Sequence, residues 1–450
     1  KRACDGCNIR KIKCDGAFPC ARCLDSGITC TSLRERKKSG PRSLRQSKMK
    51  ICQQQAALPP FNFDDQLFAT TLLPEPAWDL HRIPIAVLRT VLQLYREELY
   101  GIWPLLTAED LIYRLENEFS NPDIYALATA LCGATLSNLN RTITHDLLQE
   151  TLSAEAFIKE SRRVRSTFDY MEPVTLNNVL TSYFLHIFYG RQPLRAQMAT
   201  FYIREAITFA HLLGLHNEGT YSQHCIRDQN IMRRLYFLLY MTERYLCIQQ
   251  GLPTVLEPIT LPEIDSNDVP DVVNGFLNLV TLFSTPGSNF FGKWTSHSSS
   301  VSITREQLLL IQHALQRPLE TPKNANDVQM VDVVVSQHWI RSLAWKLSIL
   351  LGYVLPAGKR EMSVAYPLAI AQDTLRGVSH FPPEAFEVHG PGMEVKMCEI
   401  ATALADSILC KSEEQEASHV ALRGLADVIY STQIMDPGLR DVLSGKLNII

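Results

Sequence analysis

Six cysteines fall within the first thirty residues: Cys4, Cys7, Cys14, Cys20, Cys23 and Cys30, half of the chain's 12. Their stretch, CDGCNIRKIKCDGAFPCARCLDSGITC, repeats C-x2-C-x6-C twice with five residues between the copies. A C-x2-C turn aims two thiolates at one ion, as tetrahedral zinc requires. Each copy offers three sulfurs, whereas a closed zinc site takes four. Six thiolates serve two Zn²⁺ ions per chain if two of them bridge. The symmetry of the repeat puts the bridges at equivalent places, with Cys4 and Cys20 the natural pair. A disulfide framework belongs to oxidising compartments, and a thioredoxin-like C-x-x-C belongs in a βαβ setting. Neither setting suits this basic, βαβ-free stretch.

Between Cys7 and Cys14 lie Asn8, Ile9, Arg10, Lys11, Ile12 and Lys13, with three cations in four positions. On a zinc frame, such a cluster is suited to phosphates and base edges. Arg and Lys in a major groove pair with guanine O6 and N7.

This spacing resembles the fungal Zn₂Cys₆ binuclear-cluster transcription factors. The continuation through Cys30-Thr31-Ser32-Leu33 and Lys37-Lys38-Ser39-Gly40-Pro41-Arg42 is most similar to their maltose and sucrose activator branch. The resemblance implies two halves, each a short helix and an extended segment around the zinc pair. It implies a first helix over a CCG-type DNA triplet, as a dimer on two triplets. By that analogy Arg10 and Lys11 reach base edges, while Lys13 and Arg22 hold phosphates, which position without specifying. Ile9 and Ile12 are expected to pack inward between the halves. Pro19 matches a proline of the family's inter-half loop and is expected to fix that turn. So few apolar residues cannot make a core, so metal binding and folding are one equilibrium.

The elements around this stretch divide the chain into three expected parts: a DNA-binding module at 1–32, a linker at 33–84 and a helical regulatory domain at 85–450. The formal charge of −3 hides an asymmetry. Residues 1–50 carry 14 Lys/Arg against 4 Asp/Glu, and the rest carries 30 against 43. A basic head on an acidic body fits a DNA-binding module attached to a body that does not bind DNA. Position 1 is Lys rather than Met, which leaves room for residues ahead of it.

The linker opens basic. Arg34, Arg36, Lys37 and Lys38 are expected to track phosphates and to serve as a nuclear address. Leu44, Ile51 and Leu58 stand seven apart, a weak coiled-coil signal because Ser47 and Gln54 occupy the alternate positions. Residues 59–84 mix prolines, acids and aromatics. They read as a linker whose rings dock on the next domain, or as an activation segment.

From Ile85 onward apolar residues recur every three or four positions, giving an all-α body. Helices are expected near 85–99, 122–138, 145–166, 174–190, 197–213, 228–250, 303–315, 328–354, 364–377, 394–410 and 415–433. Gly214 is placed to end one of them, and Ser412-Glu413-Glu414-Gln415 to cap another. A Ser- and Gly-rich loop is expected at 284–302. No apolar run is long enough to span a bilayer. Arg204-Glu205-Ala206-Ile207, Leu213-Gly214-Leu215-His216, Arg233 to Tyr240, Glu243-Arg244 and Gly251-Leu252-Pro253 resemble the middle homology domain of the same regulators. Trp103-Pro104-Leu105-Leu106 fits that domain's start. A Phe follows the arginine pair where a Trp is usual.

Other chemistry is poorly supported. Gly287-x4-Gly292-Lys293 imitates a phosphate loop, but Trp294 stands where Ser or Thr would hold Mg²⁺. His211, His216 and His224-Cys225 lack a ligand spacing. No catalytic residue is nominated. Glu243-Arg244 reads as a buried ion pair or as part of an effector site.

The chain is therefore expected to be a nuclear, zinc-dependent transcription regulator, an activator, working on double-stranded DNA as a homodimer without membrane contact. Its gene set is either sugar utilisation or a secondary-metabolite cluster. Two roles suit the helical body: effector-gated inhibition by a small molecule held between helices, or a dimerising and coactivator-binding scaffold. The rivals are a metabolite-sensing repressor and a helical enzyme with an appended zinc module.

Overall fold

The computed structural model describes residues 3–31, 82–118, 120–145, 150–266, 268–295, 302–317, 326–354, 360–409, 415–432, 438–439, 441 and 443–445. Arg34, Arg36, Lys37, Lys38, the weak heptad at Leu44–Leu58, most of 59–84 and the capping signal at 412–414 lie outside them. The chain divides into two compact units, Lys1–Pro60 and Phe61–Ile450.

The first unit holds two short helices, α1 (Asp5–Ile9) and α2 (Ala21–Leu24). Its buried cluster is Cys4, Cys7, Cys20, Cys23 and Cys30, with Ala3 and Cys14 packed against it. Sulfur thus takes the place of a hydrocarbon core.

The second unit is helical. α3 (Ile85–Leu94) runs into a π-turn at Tyr95–Leu99. There the buried Tyr95 hydroxyl donates to the Trp103 carbonyl at 2.7 Å. α4 (Ala108–Asn117) and α5 (Pro122–Asn138) start on Thr107 and Asn121, whose side chains accept amides of the first turn. α5 is buried on nearly every face. It packs on α6 (Ala154–Arg165) and α7 (Leu176–Gly190), and α7 packs on α8 (Ala196–Leu212). After the short α9 (Glu218–Tyr221) comes α10 (Ile226–Gln250), ended by Gly251 at φ +65°. α11 (Pro270–Ser284), α12 (Gly287–Gly292) and α13 (Arg305–Leu315) lead to α14 (Asp327–Leu350). Trp339 and Trp345 of α14 are among the largest fully buried side chains. Around α14 pack α11, α13, α15 (Tyr366–Val378), α16 (Pro383–Glu387) and α17 (Pro391–Leu409), with α18 (Gln415–Ser431) against α15 and α17.

Gly214 ends α8 at φ +73°, as its position implied. Two expectations fail. Residues 145 and 150–153 are not helical, because β1 (Ile143–His145) and β2 (Glu150–Leu152) pair as antiparallel strands. Thr144 faces Thr151 across the pair, with their hydroxyls 2.9 Å apart, so β-branched pairing overrides the apolar spacing. The 284–302 segment is not loop throughout, since α12 buries Phe290 and Phe291 in the core. The glycines that imitate a phosphate loop are the ends of this helix.

The residues of the body that resembled a homology domain have a mechanical role. Along α10 they fasten the extended segment that follows Gly251. Arg233 donates to the Thr260 carbonyl at 2.9 Å and Tyr236 to the Glu257 carbonyl at 2.7 Å. Glu243 accepts from the amides of Val255 and Leu256, at 3.0 and 2.9 Å, and from Arg204 at 2.7 Å. Arg244 lies 3.3 Å over the Tyr240 ring and donates to the Leu256 carbonyl. Glu243 and Arg244 therefore do not pair with each other. Neighbours in a helix point about 100° apart, so each takes a different partner.

Candidate metal centre and nucleic-acid interface

The repeat in the cysteines is a repeat in the backbone, offset by sixteen residues. Cys4 and Cys20 precede α1 and α2 in extended conformation. Cys7 and Cys23 lie inside the helices. Each copy then closes with the same bond: Ile12 N–H to the Cys7 carbonyl at 3.1 Å, and Ile28 N–H to the Cys23 carbonyl at 3.0 Å. That closure needs a left-handed residue. Gly27 supplies it in the second copy at φ +62°, and Lys11 supplies it in the first at φ +51°.

The six sulfurs gather into two groups of four. Cys4, Cys20, Cys23 and Cys30 form one group, and Cys4, Cys7, Cys14 and Cys20 form the other. Within each group the sulfurs lie within 4.8 Å of one another. Cys4 and Cys20 belong to both. Sulfur separations of 3.6 Å (Cys4–Cys20), 3.6 Å (Cys4–Cys23) and 3.5 Å (Cys7–Cys20) are far beyond a disulfide bond. They match the edge of a ZnS₄ tetrahedron, about 3.8 Å for a Zn–S bond of about 2.3 Å. The donor set therefore fits two zinc ions, each able to draw four sulfurs.

Backbone amides add to this fit. Cys7 N–H donates to Cys4 Sγ at 3.5 Å and Cys20 N–H to Cys30 Sγ at 3.4 Å. The Cys7 amide pulls the Cys4 thiol down to about 6, whereas burial pushes Cys7 and Cys23 up. Metal loading must displace protons from the buried thiols. Gly6 lets α1 approach closely, since a Cβ there would sit 3.1 Å from Cys23 Sγ.

The cations expected to meet DNA divide into two kinds. Lys11, Lys13 and Arg22 are exposed, and no side-chain hydrogen bond or ion pair holds them among the described residues. Arg10 is folded back across the module. Its guanidinium donates to Ser26 Oγ at 2.8 Å, to the Arg22 carbonyl at 3.2 Å and to the Gly6 carbonyl at 3.3 Å. It braces the two halves in this state. Ile9 and Ile12 do not pack between the halves; they are 78% and 40% exposed. The sulfurs already fill the space that these side chains were expected to occupy.

Asp15 was missed by sequence reasoning. Its two oxygens accept the amides of Ala17 and Ala21, at 3.0 and 2.9 Å, which caps α2 and pins the inter-half loop. Those amides hold its carboxyl below the usual range. The signal was an Asp next to Gly16, a common turn pair. The loop also contains a cis Phe18–Pro19 bond. His211 and His216, which lack a ligand spacing in the sequence, meet ring to ring at 5.0 Å and join no ligand group among the described residues.

Residues 2–39 match the fungal Zn(2)-Cys(6) binuclear cluster domain, and residues 92–343 match the fungal specific transcription factor domain. The chain belongs to the fungal Zn(2)-Cys(6) transcription factors. It is 33% identical to the maltose fermentation regulatory protein MAL13 of Saccharomyces cerevisiae, over 91% of this chain and 84% of that protein. It is also 33% identical to the "Probable sucrose utilization protein SUC1" of Candida albicans, over 97% of this chain and 84% of that one. The respiratory transcription factor ZNF1 of S. cerevisiae is 30% identical over 99% of this chain and 93% of its own length. As a member of this family the chain is a DNA-binding transcription regulator whose N-terminal cluster binds two zinc ions. Six thiolates and two divalent ions together carry about −2, which offsets part of the positive charge around the cluster. No helix among the described residues is long and apolar enough to cross a membrane.

Proposed function

We propose that this regulator is a nuclear activator that reads CCG-type triplets as a dimer and controls sugar-utilisation genes. The carrying observation is the exposed end of α1. The two four-sulfur groups seat the helix so that Lys11 and Lys13 stand free beyond its last turn. A helix end bearing free cations fits a major groove, with partner spacing set by the dimer. In this reading Cys4 and Cys20 bridge the ions, and Cys7, Cys14, Cys23 and Cys30 complete their shells. Lys11 contacts base edges. Arg10 does so once it leaves Ser26. Lys13, Arg22, Arg34, Arg36, Lys37 and Lys38 hold phosphates.

The working divisions are 1–32 for the module, 33–84 for the linker and 85–450 for the helical regulatory part, which meets coactivators. Sugar utilisation is favoured over secondary metabolism by the relatives' names, two of which are maltose and sucrose proteins.

Mapping of bound sites across a genome, with binding measured at several salt concentrations, tests this function. Enrichment of paired CGG triplets near carbohydrate genes is expected, with affinity falling steeply as salt rises. Bound sites without such triplets refute the recognition. Triplets far from carbohydrate genes refute the gene set alone.

A further inference from the structure

The extended segment from Leu252 to Ser266 lies along α10 as a strap fastened on one side. Side chains of α8, α9 and α10 hold its backbone. Arg204 donates to the Pro253 carbonyl at 2.7 Å, the Thr260 amide donates to Glu218 at 2.6 Å, and the Glu263 amide donates to Asn230 at 2.9 Å. These anchors join the bonds from Arg233, Tyr236, Glu243 and Arg244. Leu256 and Pro262 are the strap residues that turn inward and are buried.

The other side of the strap faces solvent and carries aliphatic side chains. Val255, Leu261 and Ile264, with Val269 at the entry to α11, each leave 44–53% of their surface exposed. One exposed aliphatic side chain is ordinary on a protein surface, whereas four along a single strap make a stripe. Acids are interleaved with them. Glu257 and Glu263 are exposed, and Asp265 and Asp271 follow. No Lys, Arg or His occurs between Arg244 and Lys293.

The cations that reach the strap from α8 and α10 meet its inner side and are matched there. Arg204 pairs with Glu243, Arg233 with Glu218 and Arg234 with Asp268. Arg244 is buried, and Glu257 is among the acids whose field it meets. Glu257 also accepts from Ser288 at 2.7 Å. At the start of α10, Arg227 pairs with Asp110. Glu263 and Asp271 have no ion pair among the described residues, so the outer face carries surplus negative charge beside its aliphatic side chains. This surplus selects the partner. Duplex DNA and anionic lipid are repelled by it. A second copy meeting strap to strap would set the same acids against one another. A protein surface with an apolar cleft rimmed by Lys and Arg satisfies both features: the aliphatic side chains fill its floor and the acids meet its rim.

We propose that the outer face of this strap, around Leu261, Glu263 and Ile264, docks a coactivator protein that offers an apolar cleft with a Lys- and Arg-lined rim. The proposal rests on the reading that the helical part meets coactivators, and it assigns that contact a surface. Leu261 and Ile264 enter the cleft, and Glu263 between them meets the rim. The bonds on the inner side hold the strap extended before the partner arrives. Docking therefore costs little ordering entropy, unlike that of an acidic segment that folds only on binding.

Transcription driven by the full chain tests the surface. The whole chain is fused to a bacterial repressor's DNA-binding domain and recruited in yeast cells to a reporter bearing that repressor's operators, with occupancy measured by chromatin immunoprecipitation. The parent fusion should raise the reporter transcript. Leu261→Ser combined with Ile264→Ser, and separately Glu263→Lys, should each lower the transcript about tenfold at unchanged occupancy. The purified variants should keep the parent's melting temperature, because these side chains point to solvent. Val420→Ser, at an exposed aliphatic position of α18, should leave the transcript as it was. Equal transcription from the parent and the strap variants overturns the inference, as does an equal loss in Val420→Ser. A shift of the strap variants from dimer to monomer in light scattering also overturns it, by making the strap an interface between copies. A silent parent fusion overturns the coactivator reading and this surface with it. The repressor supplies the DNA contact, so the result is independent of the triplet reading.

Discussion

Cys4 and Cys20 are the two sulfurs common to both four-sulfur groups, and they stand 3.6 Å apart. No other cysteine is shared. This sets an order of severity among single substitutions. Cys20→Ser removes a ligand from both ions, whereas Cys30→Ser removes one from a single group. Native mass spectrometry of the variants should find Cys20→Ser losing both zincs and Cys30→Ser keeping one. Equal loss in the two variants sinks the bridging assignment.

Lys11 occupies the left-handed slot that Gly27 fills in the second copy. A side chain at φ +51° costs roughly 1 kcal/mol relative to glycine. Lys11→Gly should therefore stabilise the zinc-loaded module by about that amount while weakening DNA binding. Chelator resistance reports the first effect and fluorescence anisotropy on a triplet duplex the second. If resistance and DNA affinity move in the same direction, Lys11 is not held there for contact with DNA.

Arg10 and Ser26 are joined at 2.8 Å. If Arg10 acts in DNA recognition, this bond must exchange for one to a base. Ser26→Ala frees Arg10 and should leave DNA affinity equal or higher, whereas Arg10→Ala should lower it at least tenfold. A parallel loss in both variants would make Arg10 a brace and nothing more.

The repeat in the cysteines made the module's symmetry and its two-zinc chemistry legible, because tetrahedral coordination leaves few ways to divide six sulfurs. Helical periodicity made the body legible for a similar reason: its apolar faces all turn toward one core. Ile9 and Ile12 do not turn inward, although apolar residues ordinarily seek a core, because here sulfur is the core. The strand pair of 143–145 and 150–152 was hidden because the apolar residues around it also fit a helical spacing. The lining of the cavity between α7, α14 and α17 was not legible at all. His186 on α7, Asp332 on α14 and His389 in the turn before α17 are spread over about two hundred residues, and only tertiary packing assembles them.

Glu243 is 1% exposed at its side chain and accepts from Arg204 and from the amides of Val255 and Leu256. Glu243→Ala strands these donors and should cost about 3 kcal/mol in urea unfolding. The amides of 255 and 256 should lose hydrogen-exchange protection first, because the clasp holds that segment to α10. Unchanged protection there would show that the extended segment is held by other contacts.

His186 and His338 set a limit on acid stability. Burial drives both pKa values down, to about 4 for His186 and about 3 for His338, and for His338 the Arg341 guanidinium adds to the effect. Asp373 opposes it and Arg376 supports it. Arg341 donates to His338 Nδ1 at 3.0 Å, which requires a neutral ring. Both folded-state values lie below the ordinary 6.5 of an unfolded chain, so the unfolded state takes up protons first. The associated stability is complete above pH 6.5 and is lost as the pH falls from there toward 4. By pH 5 each ring should have given up about 2 kcal/mol. Gln at 338 can still accept from Arg341 but cannot titrate. Urea unfolding of the parent chain and of His338→Gln at pH 7 and pH 5 isolates this one ring. The variant should lose about 2 kcal/mol less than the parent between the two pH values. An identical loss would mean that His338 is already protonated in the folded chain, and that its contact with Arg341 is not the hydrogen bond described here.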